Sequence, residues 1–274
     1  MKNTLLWHTT ALATSLIVAL PMAAHAHRPF LLPSSTLTQG ADSIVTIDAS
    51  SSDELFNLSR PVLIDNVVIS GPEGTSVTPE NSVAGKQRNS FELKLTKEGT
   101  YKVSALTDSL SAMYKVNGEM KRWRGTNDAY TKEIPANATD LNVSRMQSRV
   151  ETFITAGKPS AQALKPSGNG LELVPLSNPT EIFAGDTGNF RFLLDGKPAA
   201  DLTVTIIRGG NRYRDGLGEI TLKTDKDGKL SIKWANAGMY WLSANISPPR
   251  ETVGTIAQPV RRISYSATLE VLQP

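Results

Sequence analysis

Hydrophobic and polar residues alternate along much of the chain, with the period of two that is typical of half-buried β-strands. The pattern is clearest in SIVTIDAS (43–50), SFELKLT (90–96), TYKVSALT (100–107), NFRFLLDG (189–196) and DLTVTIIRGG (201–210). Gly, Pro, Asn and Asp separate these segments, and no long window keeps the 3.6-residue period of an amphipathic helix. The pattern therefore predicts an all-β fold of antiparallel β-sandwiches rather than βαβ units.

Part of this pattern occurs twice. Residues 91–105, FELKLTKEGTYKVSA, align without a gap to residues 230–244, LSIKWANAGMYWLSA. The identical positions pair Lys94, Gly99, Tyr101, Ser104 and Ala105 with Lys233, Gly238, Tyr240, Ser243 and Ala244. Upstream, residues 37–50 have a counterpart in residues 182–195. The repeat predicts two similar sandwiches in tandem.

The Gly-x-Tyr step in both copies resembles a tyrosine corner, in which a buried phenol hydrogen-bonds back to the preceding chain. We therefore expect Tyr101 and Tyr240 to be structural residues rather than ligand contacts. The same argument predicts that Trp234 and Trp241 are core residues.

Residues 157–170 collect Gly, Pro and Ser without periodicity, which is typical of an interdomain linker. This segment divides the predicted mature chain into an amino-terminal sandwich, 27–156, and a carboxy-terminal sandwich, 171–274. The division agrees with the two copies of the repeat.

Residues 1–26 have the layout of a secretory signal peptide. Lys2 supplies a positive charge, residues 11–20 are apolar, and Ala24-His25-Ala26 forms a cleavage site. An apolar segment of this length is about half of the roughly 20 residues that span a membrane. We therefore expect export to the periplasm, a mature chain that begins at His27, and no membrane span in that chain.

Composition excludes several classes of function. The 29 basic and 26 acidic residues nearly balance, and the arginines lack interleaved aromatic residues, so no nucleic-acid partner is predicted. Cysteine is absent, which excludes thiolate metal sites and cysteine catalysis. After cleavage only one histidine remains, and no catalytic triad, phosphate-binding loop or paired-carboxylate motif is present. The chain is therefore predicted not to be an enzyme.

His27 is the candidate metal ligand. An amino-terminal histidine offers a ring nitrogen and an α-amine of pKa about 7.7–8.0, which a metal can deprotonate near neutrality. Nitrogen-rich sites of this kind favour copper or nickel. Further ligands would be Asp48 or Asp53 in TIDASSSDELF (46–56), or Met113 and Met120. The alternative is that His27 only happens to follow the cleavage site.

Three loops carry weaker signals. TDKDGKLSI (224–232) imitates part of a calcium loop, but its ligand register fails, so a hairpin turn is predicted. GGNRYRDGLGE (209–219) is predicted to be a solvated hairpin end, with recognition as the alternative. MKRWRGTNDAY (120–130) predicts either a ligand platform or an interdomain plug around Trp123.

Six segments together resemble an exported bacterial family of unknown function described as NikM-like periplasmic components of cobalt or nickel uptake. They are residues 24–36, 45–56, 148–160, 171–199, 224–232 and 261–272. Members begin the mature protein with a histidine in a context that His27, Phe30, Leu32, Pro33 and Ser34 match. The resemblance implies two β-sandwiches, the second similar to carboxypeptidase regulatory-like (transthyretin-like) domains, in a Gram-negative envelope beside TonB-dependent receptors.

These observations lead to a first hypothesis and two alternatives. The first is a periplasmic binding or accessory protein that assists uptake of nickel, cobalt, copper or a metal chelate, with His27 as the anchor ligand. The second is a metal-free module that docks on a TonB-dependent outer-membrane receptor or uptake system. The third is an enzyme acting on envelope carbohydrate, which the missing catalytic motifs disfavour.

Overall fold

A computed structural model describes residues 27–274, so the predicted signal peptide, 1–26, lies outside the described residues. The strands are β1 (Arg28–Pro33), β2 (Leu37–Thr38), β3 (Ser43–Ser52), β4 (Arg60–Pro61), β5 (Val67–Ser70), β6 (Ser76–Val77), β7 (Glu80–Ala84), β8 (Asn89–Leu95), β9 (Gly99–Val116), β10 (Glu119–Gly125), β11 (Thr139–Ala156), β12 (Leu171–Pro175), β13 (Thr187–Leu194), β14 (Lys197–Pro198), β15 (Thr203–Arg208), β16 (Ile220–Lys223), β17 (Lys229–Lys233), β18 (Gly238–Ile246) and β19 (Val260–Val271). The helices are α1 (Asn127–Glu133) and the 3-10 turns Gln162–Leu164 and Asn211–Tyr213. None of the helices that the structure describes is long and apolar enough to cross a membrane.

The strands form three sheets. A central sheet has the order β16-β15-β18-β19-β11-β9-β5-β6, with β10 and β2 attached to β9 and β11. One smaller sheet contains β1, β3, β4, β7 and β8, and the other contains β12, β13, β14 and β17. The predicted all-β architecture of antiparallel sandwiches is confirmed. The two sandwiches share the central sheet, where β11 and β19 pair in parallel.

The smaller sheets lie on opposite faces of the central sheet. Val150 and Ile154 of β11 pack in the first core, against β3 and β8. Phe153 of the same strand packs in the second core, against β12, β13 and β17. Because successive side chains of a strand point to opposite faces, one strand contributes to both cores.

The internal repeat is a structural duplication. Each half has the same strand order outward from the β11–β19 pair, and the small sheets occupy opposite faces. A parallel central pair with swapped faces corresponds to an approximate two-fold rotation about an axis along the strands. The tyrosine corners are confirmed, since the Tyr101 hydroxyl donates to the Lys97 carbonyl (2.9 Å) and that of Tyr240 to Asn236 (2.8 Å).

The predicted linker, 157–170, packs against the central sheet. The Ser160 hydroxyl accepts from the Thr100 amide (3.0 Å), and the Lys102 ammonium donates to the Lys165 carbonyl (2.9 Å). The segment lies between the two cores in sequence. The proposed boundaries at 27–156 and 171–274 remain predictions.

Strands β9, β10 and β11 extend beyond the sandwiches as an arm, and α1 covers one of its faces. Trp123 lies 5.5 Å from the Tyr130 ring in an edge-to-face contact and donates to the Glu133 carboxylate (2.7 Å). Thr126 caps the helix by accepting from the Ala129 amide. Trp123 therefore belongs to the small core of the arm, which differs from both predicted alternatives.

Candidate binding site at the amino-terminal strand

Strand β1 is fixed at the junction between the two halves. The indole N–H of Trp241 donates to the Pro29 carbonyl (2.8 Å), and the Ser266 hydroxyl donates to the same oxygen (3.0 Å). Phe30 is fully buried in a cluster with Leu55 and residues of β15 and β18. The residue that precedes β1, His27, is thereby held at a defined place.

His27 faces Asp53. Its Nδ1 lies 3.7 Å from Asp53 Oδ1, which is longer than a hydrogen bond. That carboxylate oxygen is shielded from solvent and has no hydrogen-bond partner among the described residues. The Arg28 guanidinium donates to the backbone carbonyl of Asp53 (2.7 Å) and lies 6.0 Å from the Trp241 ring centroid. The loop that carries Asp53 is thus tied to β1.

Asp48 lies elsewhere. It forms an ion pair with the Nε of Arg88 (2.9 Å). On the β1–β3 ladder Asp48 stands opposite Leu32, whereas Ser52 stands opposite Arg28, the neighbour of His27. The four residues from Ser52 to Asp48 place Asp48 about 13 Å along the strand from that end. The structure thus brings one of the two predicted carboxylates to His27.

The other predicted ligands do not join His27. Met113 and Met120 lie on the β9–β10 ladder of the arm. No group of three or more His, Asp or Glu side chains that could hold a metal is found within residues 27–274.

A cleft of about 420 Å³ opens beside His27, on the face of the central sheet formed by β15, β18 and β19. Its lining residues are His27, Arg28, Pro29, Thr205, Ile207, Glu219, Trp241, Ser243, Asn245, Ser264, Tyr265 and Ser266. Sequence reasoning missed this cleft. The available signal was the run of small polar residues that alternates with apolar core residues in β18 and β19.

The loop 209–219 joins the antiparallel strands β15 and β16 and is largely exposed, as predicted for a solvated hairpin end, and it also packs on the loop that follows Asp53. The Asn211 side-chain carbonyl accepts from the Leu55 amide (3.0 Å), and Arg212 forms an ion pair with Glu54 (2.8 Å). Leu217 packs against the same cluster as Phe30. The loop therefore contributes to the contact between the halves.

The turn predicted in TDKDGKLSI is present, since the Gly228 amide donates to the Asp225 carbonyl (2.9 Å), but it is not a hairpin, because β16 and β17 belong to different sheets. Asp225 Oδ1 accepts from the Asp227 and Lys229 amides (2.9 and 2.7 Å), so the carboxylate stabilises the turn itself.

A second polar cluster lies on the other face of the central sheet, beside a cleft of about 340 Å³. Arg145 pairs with Asp108, Arg261 pairs with Asp195, and Gln147 joins the two pairs. The hydrogen bond from Arg261 lowers the pKa of Asp195 to about 2, from an ordinary value of 3.8. Each arginine has an acidic partner, so the cluster has no uncompensated charge for an ionic ligand.

Below this cluster lies a buried carboxylate, Glu151, which is 1% exposed. It accepts from the Ser104 hydroxyl, the Tyr265 hydroxyl (each 2.7 Å) and the Arg149 guanidinium (3.1 Å). Burial and the neighbouring Glu151 raise the pKa of Tyr265 well above its ordinary value. Each group has partners, so we interpret this network as structural.

The fold defines the chain as an all-β protein built from antiparallel β-sandwiches. The chain belongs to the family described as Domain of unknown function (DUF4198), which matches residues 24–247. A comparison with curated proteins gives no match.

Several solved structures are similar to this chain at low sequence identity. The D0-D1 domain of intimin is 14% identical, with 88% of this chain and 97% of that chain covered and a TM-score of 0.24. The two tandem V-type regions of VCBP3, a v-region-containing chitin binding protein, are 12% identical over 89% and 100%, with a TM-score of 0.24. The Yersinia pseudotuberculosis adhesin InvE is 12% identical over 87% and 58%, with a TM-score of 0.23. TM-scores this low carry no argument about function.

Proposed function

We propose that this chain is an exported, non-enzymatic binding protein that holds a divalent transition metal at His27 and Asp53. The observation that carries the proposal is the unpaired Asp53 Oδ1, which faces His27 Nδ1 at 3.7 Å. The Asp53 side chain as a whole is 43% exposed, but this oxygen is shielded from solvent, so a cation or donor beside it would satisfy its lone pairs. The gap exceeds a direct hydrogen bond and leaves space for an ion between the two atoms.

The donor set suits copper or nickel. If the signal peptide is removed after Ala26, the α-amine of His27 becomes a ligand. It closes a six-membered chelate ring with Nδ1, the nitrogen that faces Asp53. Two nitrogens and one carboxylate oxygen then leave positions open for water or for a ligand carried with the metal, as tetragonal Cu(II) and Ni(II) sites accept.

The setting that we propose is the periplasm, where the chain would assist uptake of nickel, cobalt or copper. The resemblance to NikM-like proteins supports this setting, as does the predicted signal peptide. The absence of a second histidine from the mature sequence supports a binding rather than a catalytic role.

The two predicted carboxylates provide a matched test. We expect Asp53→Asn to weaken Cu(II) or Ni(II) binding by about tenfold or more, since even outer-shell partners of a metal contribute that much. Asp48→Asn, which breaks an ion pair with Arg88, should leave the affinity unchanged. Isothermal titration of the mature protein with each metal measures both. Equal affinities for the two variants would refute the assignment of Asp53.

A further inference from the structure

The cleft beside His27 has a counterpart in the first half of the molecule. In the repeat, Ser243 of β18 corresponds to Ser104 of β9. Across the neighbouring strand, Ser266 stands opposite Ser243, as Glu151 stands opposite Ser104. The two surfaces are therefore equivalent under the duplication, and Arg149 corresponds to Ser264.

In the first half, the chain itself covers this surface. The segment 157–170 crosses it, and the Lys102 ammonium holds the Lys165 carbonyl (2.9 Å). Arg149 fills the space above the sheet and donates to the Ser167 hydroxyl and the Asn169 carbonyl (each 3.2 Å). Ala163 of the same segment is 1% exposed.

In the second half, small polar side chains line the cleft instead. Thr205, Ser243, Asn245 and Ser264 make no side-chain hydrogen bond to another residue in the described part of the chain. The segment equivalent to 157–170 would precede β1. Those residues belong to the predicted signal peptide and lie outside the described residues.

We propose that this cleft binds a peptide segment of a partner protein, in the place that 157–170 occupies in the first half. Hydroxyl and amide groups both donate and accept, so they match the N–H and C=O groups of a peptide backbone that has no strand partner. Ile207 and Trp241 form an apolar end for a small side chain, as Ala163 supplies in the first half. The volume, about 420 Å³, lies within the range of ligand pockets.

The experiment uses the mature protein with a chelator present, which separates peptide binding from the metal site. A library of random peptides as long as segment 157–170 is selected against the protein, and enriched peptides are measured by fluorescence anisotropy. We expect saturable binding that Ser264→Arg weakens by about tenfold or more. Ser266 stands where Glu151 holds Arg149 in the first half, so an arginine at 264 has no carboxylate at that position to hold it against the sheet and would project into the cleft. Asn245→Arg, at the exposed rim, should have the same effect, whereas Ser231→Arg on the opposite small sheet should have none.

Thermal unfolding shows which variants fold, and only folded variants are compared. Failure to enrich any peptide would overturn the proposal, as would equal binding by the wild type and both cleft variants. Titration with maltoheptaose tests a glycan as the occupant. Binding of this oligosaccharide that Ser264→Arg abolishes, without peptide binding, would also overturn it.

Discussion

At the residue scale, the two tyrosine corners share one sequence motif but differ in their number of hydrogen bonds. Tyr101 accepts from the Lys97 amide (3.0 Å) and donates to the Lys97 carbonyl (2.9 Å), whereas Tyr240 makes one bond, to Asn236. Gly99 and Gly238, with φ of 131° and 136°, let the chain turn into each strand. The Gly-x-Tyr spacing therefore predicts the corner, but not the number of its hydrogen bonds.

Because the two tyrosines make different numbers of hydrogen bonds, removing their hydroxyls should lower the free energy of unfolding by different amounts. Tyr101→Phe leaves a backbone donor and a backbone acceptor unpaired, so we expect a loss of about 2–3 kcal/mol in the free energy of unfolding. Tyr240→Phe leaves one acceptor unpaired and should cost about 1 kcal/mol. Urea unfolding of both variants measures this. A larger loss for Tyr240→Phe would contradict the account.

The two carboxylates predicted as metal ligands, Asp48 and Asp53, also take different positions in the structure. Asp48 and Asp53 lie in one segment and are chemically identical, so the sequence left them as alternatives. Their positions differ because β3 continues to Ser52 and the chain turns back toward His27 only at Asp53. The ladder between β1 and β3, which the sequence does not specify, decides between them.

At the scale of elements, Glu151 joins three neighbouring strands of the central sheet. Its partners are Ser104 on β9, Arg149 on β11 itself and Tyr265 on β19. A buried carboxylate with this set of partners fixes the position of one half against the other. Its removal leaves the Tyr265 hydroxyl without its acceptor and removes one of the acceptors of the Arg149 guanidinium.

We expect Glu151→Ala to lower the free energy of unfolding by about 3–5 kcal/mol. Glu151→Gln should cost less, since the amide still bonds to Ser104. Glu219→Ala, at an exposed residue in the loop before β16, is the control and should stay within about 0.5 kcal/mol of the wild type. Unfolding in urea gives all three values. A small loss for Glu151→Ala would show that the network does not hold the halves together.

Strand identity was largely predictable, whereas strand length was not. Residues 100–107 were predicted as a strand, but β9 runs from Gly99 to Val116. Its distal half carries polar residues such as Asp108 and Ser109, which hid the alternation. Helix α1 was also missed, because a seven-residue helix is too short to show a period.

At the scale of the whole molecule, the shared central sheet distinguishes this fold from two independent domains joined by a linker. The period of two shows which side chains are buried but not which strand lies next to which. The parallel pairing of β11 with β19 could therefore not be predicted from the sequence. The cleft beside His27 arises from that pairing, because it places β1 over the second half.

The shared sheet predicts one cooperative unfolding event rather than two. Phe153 of the first half packs in the core of the second, so the second core is not complete without the first half. Differential scanning calorimetry of the mature protein should show a single transition with equal calorimetric and van't Hoff enthalpies. Two resolved transitions would show that the halves unfold independently.

The Asp195–Arg261 pair predicts a dependence of stability on pH. Because the folded-state pKa of Asp195, about 2, lies below the ordinary 3.8, this pair stabilises the fold above that ordinary value. The stabilisation is lost as the pH falls toward about 2. Asp195→Asn should therefore lower the melting temperature at about pH 6 and have little effect near pH 2.

Asp215→Asn, an exposed loop residue, is the control and should leave the pH profile unchanged. A difference between wild type and Asp195→Asn that persists at about pH 2 would contradict this assignment.

The amino-terminal metal site is tested by comparing the mature protein with a variant whose terminus is extended. The protein is exported to the periplasm, its terminus is confirmed by mass spectrometry, and Cu(II), Ni(II), Co(II) and Zn(II) are titrated by calorimetry. The same measurement is made on a variant with one alanine inserted before His27, which moves the α-amine away from the ring. We expect the mature protein to bind copper or nickel and the insertion variant to bind neither. Absence of binding, or equal binding by both proteins, would contradict it.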